Sequence, residues 1–268
     1  MSSLVQFTGS VPANYDAYLG PLFMESFARE LVSQLPAKKF SSILEIACGT
    51  GRLTNHLLQL LKDDGQLIAS DLNEDMIGYA QRKIKDKRVT WQFADATNLP
   101  FRDSSFELVA CQFGVMFFPD KLKAFREARR VLKPGSVFLF DTWDAYETNP
   151  LIVITQDVLK EVFSEDAPDF FVKGPFSFYN KQVIYELLED AGFKNIQVEI
   201  ARLNKGYESA ESIVKGFVEG SPLVSYLVDK EPSMVESFRK KLVQEIINKF
   251  GDSCDDLYHQ AILCQGEK

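Results

Sequence analysis

The sequence predicts an α/β fold: a doubly wound, mostly parallel seven-stranded sheet with helical lid and cap insertions. Three observations predict it. Short apolar runs alternate with amphipathic helical stretches through the middle of the 268 residues. A glycine-bearing turn follows the first run and opens a helix, and the next run ends on Asp71, 20 residues beyond Gly51. No Pro/Ser-rich linker separates the halves, so one domain spans the chain. Strand–helix–strand repeats of this kind require right-handed crossovers, with helices on both faces of the sheet.

Taken in order, Ser41–Ala47 (SSILEIA) is the first expected strand, and Leu53–Leu61 is the helix that follows it. Gln66–Asp71 is the second strand and precedes a helix from Glu74 to Lys85. Val89–Ala94, Phe106–Gln112 and Ser136–Asp141 are the third to fifth strands. Lys121–Leu132, rich in Lys and Arg, is a helix that stops at Pro134-Gly135. Lys181–Ala191 has amphipathic helical spacing and ends at Gly192, Lys194–Ala201 alternates as a strand, and Tyr258–Cys264 is the last strand. Two regions depart from the alternation. Residues 144–179 are aromatic and aperiodic, which predicts an irregular lid, and 207–250 are mostly helical with breaks at Gly220, Pro222 and Pro232.

Composition limits the function. Thirty basic and 38 acidic residues leave a net charge of −8, which argues against a nucleic-acid backbone as main ligand. Cys48, Cys111, Cys254 and Cys264 form no CxxC pair, and His56 and His259 are the only histidines. That spacing offers no zinc site and no disulfide framework. The N-terminus lacks a basic region followed by an apolar one, and no apolar run approaches a membrane span. A cytoplasmic protein, monomeric or homodimeric, is the expectation.

The stretch Ile43–Arg52 (ILEIACGTGR) is the most informative. A glycine turn between strand and helix lets backbone approach a ligand and presents free N–H groups at the helix start. A carboxylate at Asp71 suits the two hydroxyls of a ribose at the switch point of the sheet. A dinucleotide fingerprint would need a third glycine where Thr54 stands. Glu45 also opposes a pyrophosphate, by about 4 kcal/mol for unit charges 4 Å apart at an effective dielectric of 20. The same carboxylate suits an ammonium and a sulfonium, so the expected cofactor is S-adenosyl-L-methionine, with S-adenosyl-L-homocysteine as product.

These residues resemble motif I of the class I (Rossmann-like) SAM-dependent methyltransferases. The likeness continues through Asp71–Met76, Ala94-Asp95-Ala96, Asn98–Phe101 with Ser105–Val109, and Leu132–Gly135. It covers residues 40 to about 142 and is closest to the UbiE/COQ5 and methyltransferase-11 groups of small-molecule enzymes. The resemblance implies the Rossmann-like methyltransferase fold. It implies that Gly49 and Gly51 line the methionine end of the cofactor, with Glu45 and Ala47 beside them and Asp71 on the ribose. Leu72 and Met76 would flank the adenine, Asp95 and Ala96 would meet its edge, and Gln112, with Phe113, would touch the methionine portion. Cys111-Gln112-Phe113 stands where enzymes modifying nucleic-acid bases carry Asn-Pro-Pro-Tyr, so no nucleic-acid substrate is implied. The implied segments are an N-terminal flap over 1–35, a cofactor core over 36–142, a lid over 143–180 and a helical insertion over 204–257.

Methyl transfer is an in-line displacement at an activated carbon. Alignment can supply about 7–11 kcal/mol and a general base about 3–5 kcal/mol, so a missing histidine base does not disqualify the reading. By resemblance, Tyr15 and Tyr18 lie in a flap over the cofactor. The expected substrate is a small, partly apolar or aromatic metabolite. Its candidate contacts are Tyr15, Met116, Phe117, Trp143, Phe171, Phe176 and Tyr179, with Tyr18, Phe113 and Phe170 beside them. Asp141, Asp144, Tyr15 and Tyr18 are the candidate catalytic groups, and no metal is expected. His56 and His259 are read as structural, Cys48 as a packing residue, and Arg126–Lys133 as a solvated helix face. Two rivals are a non-catalytic SAM-binding regulatory or assembly module and a NAD-dependent oxidoreductase, the latter opposed by Thr54 and Glu45.

Overall fold

The computed structural model describes residues 11–164, 167–204, 206–207, 209–230 and 233–268, apart from the side chains of Val11 and Phe170. The first ten residues of the expected flap, the expected break at Pro232, and positions 165, 166, 205, 208 and 231 lie outside the described residues. The seven strands are β1 (Phe40–Ile46), β2 (Leu61–Asp71), β3 (Val89–Phe93), β4 (Phe106–Cys111), β5 (Leu132–Trp143), β6 (Lys194–Leu203) and β7 (His259–Glu267). They form one sheet in the order β3-β2-β1-β4-β5-β7-β6. Strands β1 to β5 are parallel, while β7 runs antiparallel to both β5 and β6. Ile43, Leu44, Leu67, Leu108, Val109, Phe138 and Phe140 are fully buried, as central parallel strands covered on both faces demand.

The chain steps from β1 outward through β2 to β3, then returns to β4 on the other side. That reversal places a crevice at the carboxyl ends of β1 and β4, where open α/β sheets take their ligands. The reversed β7 matters too. Ala261 pairs with Trp143 at the end of β5, so the amino end of β7 joins that ligand edge.

The helices in chain order are α1 (Val11–Asn14), α2 (Glu25–Ser33), α3 (Arg52–Gln59), α4 (Glu74–Lys83), α5 (Lys121–Val131) and α6 (Pro150–Phe163). There follow α7 (Phe170–Lys173), α8 (Lys181–Asp190), α9 (Ala210–Gly220), α10 (Leu223–Lys230) and α11 (Met234–Phe250). A π-helical segment, Tyr15–Met24, joins α1 to α2. Local chemistry sets several starts: Asn73 accepts from the Met76 amide, Asp120 from that of Lys123, and Asn180 from those of Gln182 and Val183. None of the described helices is long and apolar enough to cross a membrane.

Three expectations need correction. Residues 144–179 are not an irregular lid throughout, because α6 occupies Pro150–Phe163. Ile152, Val153, Ile154 and Thr155 disfavour a helix by χ1 crowding, yet Leu151, Ile152, Ile154, Val158 and Leu159 are buried, and packing overrides propensity. β5 begins at Leu132 and β2 at Leu61, each earlier than the apolar runs indicated. The basic run on α5 is not simply solvated: Arg129 donates to the Gly192 carbonyl, and Arg130 to the carbonyls of Phe101 and Leu99.

Candidate functional site

The turn after β1 bends through left-handed backbone at Ala47, Gly49 and Gly51. At Gly51 the need for glycine is also steric, since a Cβ there would stand 2.7 Å from Ile84 Cδ1. Two amides of the turn itself are engaged within the protein. Gly49 N–H donates to Asp71 Oδ2 at 2.8 Å, and Gly51 N–H to the Cys48 carbonyl at 2.9 Å. Asp71 Oδ1 also accepts from the Asn73 amide at 2.9 Å. The turn is thus braced on the end of β2, and burial pushes the Asp71 carboxyl above its usual range.

Beside this turn lies a cavity of about 310 Å³, bordered by Glu45, Ala47, Cys48, Gly49, Gln112, Tyr15 and Met24 among others. Glu45 is 1% exposed, and its Oε2 accepts from Thr54 Oγ1 at 2.6 Å. Burial, helped by the nearby Asp71 charge and opposed by the Thr54 bond, pushes its carboxyl up to about 8. Without a cation beside it, Glu45 is therefore protonated at neutral pH. Arg52 also borders this cavity, but its guanidinium is engaged by Asp16 and Glu25.

The π-helical segment covers the turn from above, and Asp16 fastens it there. Asp16 Oδ1 accepts from Thr50 Oγ1 (2.9 Å), Arg52 Nε (2.9 Å) and Lys83 Nζ (2.7 Å), while Oδ2 accepts from the Tyr79 hydroxyl (3.2 Å). Burial works to raise the Asp16 carboxyl, but Lys83, Thr50 and Arg52 outweigh it and hold it below the usual carboxylate range. Gly20 leaves room for this clamp, since a Cβ there would meet the Arg52 guanidinium. One helical turn later, His56 Nε2 meets Glu25 Oε1 at 2.8 Å and ties α3 to α2.

A larger cavity of about 780 Å³ adjoins the first, and the two share Tyr15 and Met24 in their walls. Among the described residues, no Asp, Glu, Lys or Arg lines it. Aromatic rings build one side: Phe113 lies flat on Trp143 at 4.1 Å and 14°, and Trp143 stacks on Phe176 at 5.5 Å and 24°. Phe171 stacks on Phe217 of α9 at 5.3 Å. With Ser221 and Pro222 also in the wall, the carboxyl end of α9 and the turn after it cap this cavity.

Six of the expected acceptor-side residues come together here: Tyr15, Met116, Phe117, Trp143, Phe171 and Phe176. Tyr179 does not; it is 44% exposed at the start of α8 and outside the lining. Phe113, expected both beside the cofactor and among the acceptor contacts, joins the six in the wall of the larger cavity. Tyr18 reaches neither cavity, because the helical wind turns it toward α9, with Lys215 Nζ 5.8 Å from its ring. Neither Asp141, within β5, nor Asp144, just after it, lines a cavity. Asp141 is fully buried and accepts from the Phe113 amide, and Asp144 accepts from Ala145 N–H and Gln260 Nε2.

Gly51 braces the turn without lining the small cavity, and Met76 is buried in the first turn of α4. Asp95 and Ala96 follow β3 at the same edge as Asp71, with the Ala94 amide on the Asp71 carbonyl at 3.0 Å and Leu72 61% exposed beside them. Asp95 Oδ1 accepts from the Thr97 amide and hydroxyl. Sequence reasoning missed Phe23, Phe217 and His259. Phe23 packs edge-on against Trp143, Phe217 and His259, and His259 lines the large cavity rather than serving only as a buried strand residue.

The model of the ubiE/COQ5 methyltransferase family matches residues 24–207. The demethylmenaquinone methyltransferase of Lactobacillus johnsonii is 31% identical over 192 residues, covering 66% of this chain and 77% of the relative. That of Staphylococcus saprophyticus is 28% identical over 201 residues, covering 69% and 85%. In fold, the chain is similar to Haemonchus contortus phosphoethanolamine N-methyltransferase 2, solved with phosphomonomethylethanolamine and S-adenosylhomocysteine. There the TM-score is 0.65 at 19% identity, covering 100% of this chain and 60% of the other. The family match spans more than half of the chain, so the chain belongs to the ubiE/COQ5 methyltransferase family and is an S-adenosylmethionine-dependent methyltransferase.

Proposed function

We propose that the acceptor is a small, flat, uncharged ring of the hydroquinone class, held in the larger cavity while the cofactor occupies the smaller one and the cleft beyond it. The observation that carries this reading is the shared border at Tyr15 and Met24 between a cavity that holds Glu45 and an aromatic one that, among the described residues, no Asp, Glu, Lys or Arg lines. A phosphorylated or carboxylated acceptor would lose its hydration in the larger cavity with no charge to replace it. A flat ring gains stacking area on Phe113 and Trp143. The demethylmenaquinone methyltransferases among the relatives point to the same class by name.

The small cavity suits a cationic nucleoside, because Glu45 is a buried carboxyl that accepts from the neutral Thr54 hydroxyl. When bound, S-adenosylmethionine supplies a methyl carbon made electrophilic by its sulfonium. Glu45, Ala47, Gly49 and Gln112 would hold the methionine end, and Asp71, fixed by two amides, would accept from the ribose hydroxyls. Leu72, Met76, Asp95 and Ala96 would frame the adenine. Tyr15, its phenol kept neutral by burial, would orient an acceptor hydroxyl at the junction. The residues around it align and exclude water, and alignment is the larger part of the barrier. The segment before residue 36 serves as the flap, 36–142 as the cofactor core, and 143–180 with 204–257 as the acceptor cap.

Incubating the purified protein and S-adenosylmethionine with 1,4-dihydroxynaphthalene, phosphoethanolamine or neither tests the assignment. We expect S-adenosylhomocysteine and a methylated naphthalenediol in the first mixture alone. Turnover with phosphoethanolamine, or cofactor binding without turnover of any hydroquinone offered, would overturn it.

A further inference from the structure

The partition between the two cavities is one short segment, Gln112–Gly114, in which Gln112 borders the small cavity and Phe113 the large one. Each of its residues is held differently. Gln112 Nε2 donates to the Met24 carbonyl at 2.8 Å. Gly114 leans so closely on the glycine turn that a Cβ would stand 2.5 Å from the Ala47 Cβ. Phe113 has a φ of 47°, a left-handed conformation that a bulky L residue resists, so the surroundings must enforce it.

The group that meets its backbone is Asp141: Oδ1 accepts the Phe113 N–H at 2.6 Å. Asp141 is wholly buried, and its Oδ2 has no hydrogen-bond partner among the described residues. A buried carboxyl with one oxygen idle disfavours folding. Stability therefore does not explain why an acid stands there, whereas control of Phe113 does. Through that amide, Asp141 governs a ring lying flat on Trp143.

We propose that Asp141 is a positioning residue for the acceptor. By fixing the Phe113 amide it sets the plane of the Phe113–Trp143 pair relative to Tyr15 and Met24, where the cavities meet. It touches neither ligand. Gln112 and Gly114 are anchored independently, so loss of Asp141 disturbs the acceptor wall and spares the cofactor side. The choice of test ligand rests on the hydroquinone reading above; the role of Asp141 does not.

The test uses the full chain with Trp91→Phe, which leaves Trp143 as the single tryptophan, combined with Asp141→Leu or Asp141→Asn. Asparagine retains an oxygen for the Phe113 amide and leucine does not. We expect Asp141→Leu to shift Trp143 emission and to weaken 1,4-naphthoquinone binding, read by quenching, at least tenfold. S-adenosylhomocysteine affinity by calorimetry should stay within twofold. Asp141→Asn should match the parent in all three readings. Unchanged emission in Asp141→Leu overturns the proposal, and so does an asparagine variant as defective as the leucine one. If Asp141→Leu fails to fold, the asparagine variant and amide exchange of the parent decide: a Phe113 amide that exchanges as fast as an unbonded one overturns it. Naphthoquinone that fails to bind the parent would defeat the hydroquinone reading, while Trp143 emission would still judge Asp141.

Discussion

The two cavities meet at two residues but are built on different physical principles. The smaller is polar and local: Glu45, Ala47, Cys48 and Gly49 are near neighbours in the chain, braced by one strand end. The larger is apolar and assembled from afar, with Phe23, Phe113, Trp143, Phe176, Phe217 and His259 drawn from segments up to both ends of the chain. In the first, directional hydrogen bonds fix the geometry, and a few atoms decide it. In the second, contact area does the holding, so shape can vary without loss of the fold. An enzyme family can thus keep its cofactor side while its acceptor side changes.

The sharpest way to break that contrast is Trp143→Ala. The indole stacks on Phe113 and Phe176 and meets Phe23 and Phe27 edge-on. Removing it should cost about 3–5 kcal/mol of stability, read by urea unfolding. At permissive temperature it should raise the acceptor KM more than tenfold while leaving S-adenosylhomocysteine affinity unchanged. Equal losses on both sides would mean that the cavities are one mechanical unit.

Next in size is Asp16→Asn, because Asp16 fastens the segment that roofs both cavities. A part-buried carboxylate that gathers Arg52 and Lys83 leaves two cations poorly matched when neutralised, at a cost of about 3 kcal/mol. Its carboxyl is held low, so its contribution is full above the unfolded value near 4 and is lost as pH falls through the folded one. We expect faster S-adenosylhomocysteine release by stopped flow and a loss of the wild-type acid-induced acceleration. An unchanged release rate would show that the roof opens elsewhere.

Why one cavity was legible in the sequence and the other only in part follows from the same contrast. Motif residues Glu45 to Gly51 and Asp71 sit within a short span whose strand–turn–helix geometry is nearly fixed by local sterics. The resemblance therefore singled them out as a group, and the structure brings them together at one turn, although the turn amides engaged by Asp71 and Cys48 were not foreseen. On the acceptor side, Phe113, Met116 and Phe117 after β4 and Trp143 at the end of β5 could be placed, since strand ends point at the crevice. Phe23, Phe217 and His259 could not. They arrive through a π-helical wind, a distant helix and a reversed last strand, none of which a local apolar period encodes. Antiparallel β7 was the missing datum: knowing its direction would have put His259 at the ligand edge.

A gentler probe is Glu45→Gln, which tests whether the polar side is governed by charge. With its folded carboxyl pushed up to about 8 from 4.5, Glu45 contributes stability that is complete below 4.5 and lost as pH rises through 8. Wild-type stability should decline by about 1.4 kcal/mol per pH unit across that window from this group alone, and the glutamine variant should flatten the slope. Calorimetry in buffers of different ionisation enthalpy should find close to one proton released when S-adenosylhomocysteine binds at pH 7, and none in the variant. Proton release that persists in Glu45→Gln would locate the titration in another group, with raised Asp71 the first to examine.

The smallest effect should come from Tyr179→Ala, and it is informative because it is small. Tyr179 follows buried Phe178, whose ring carries Lys121 Nζ at 5.1 Å, and precedes the Asn180 cap of α8, yet its own side chain is half exposed. Surface truncations away from caps and cores cost within about 0.5 kcal/mol. Acceptor KM, S-adenosylhomocysteine affinity and melting temperature should all stay at wild-type values. Phe176→Ala, three residues earlier and stacked on Trp143, should raise the acceptor KM several-fold in the same assay. If the two variants behave alike, the segment closes over the acceptor as a whole, and aromatic content rather than the position of each ring is what the larger cavity selects.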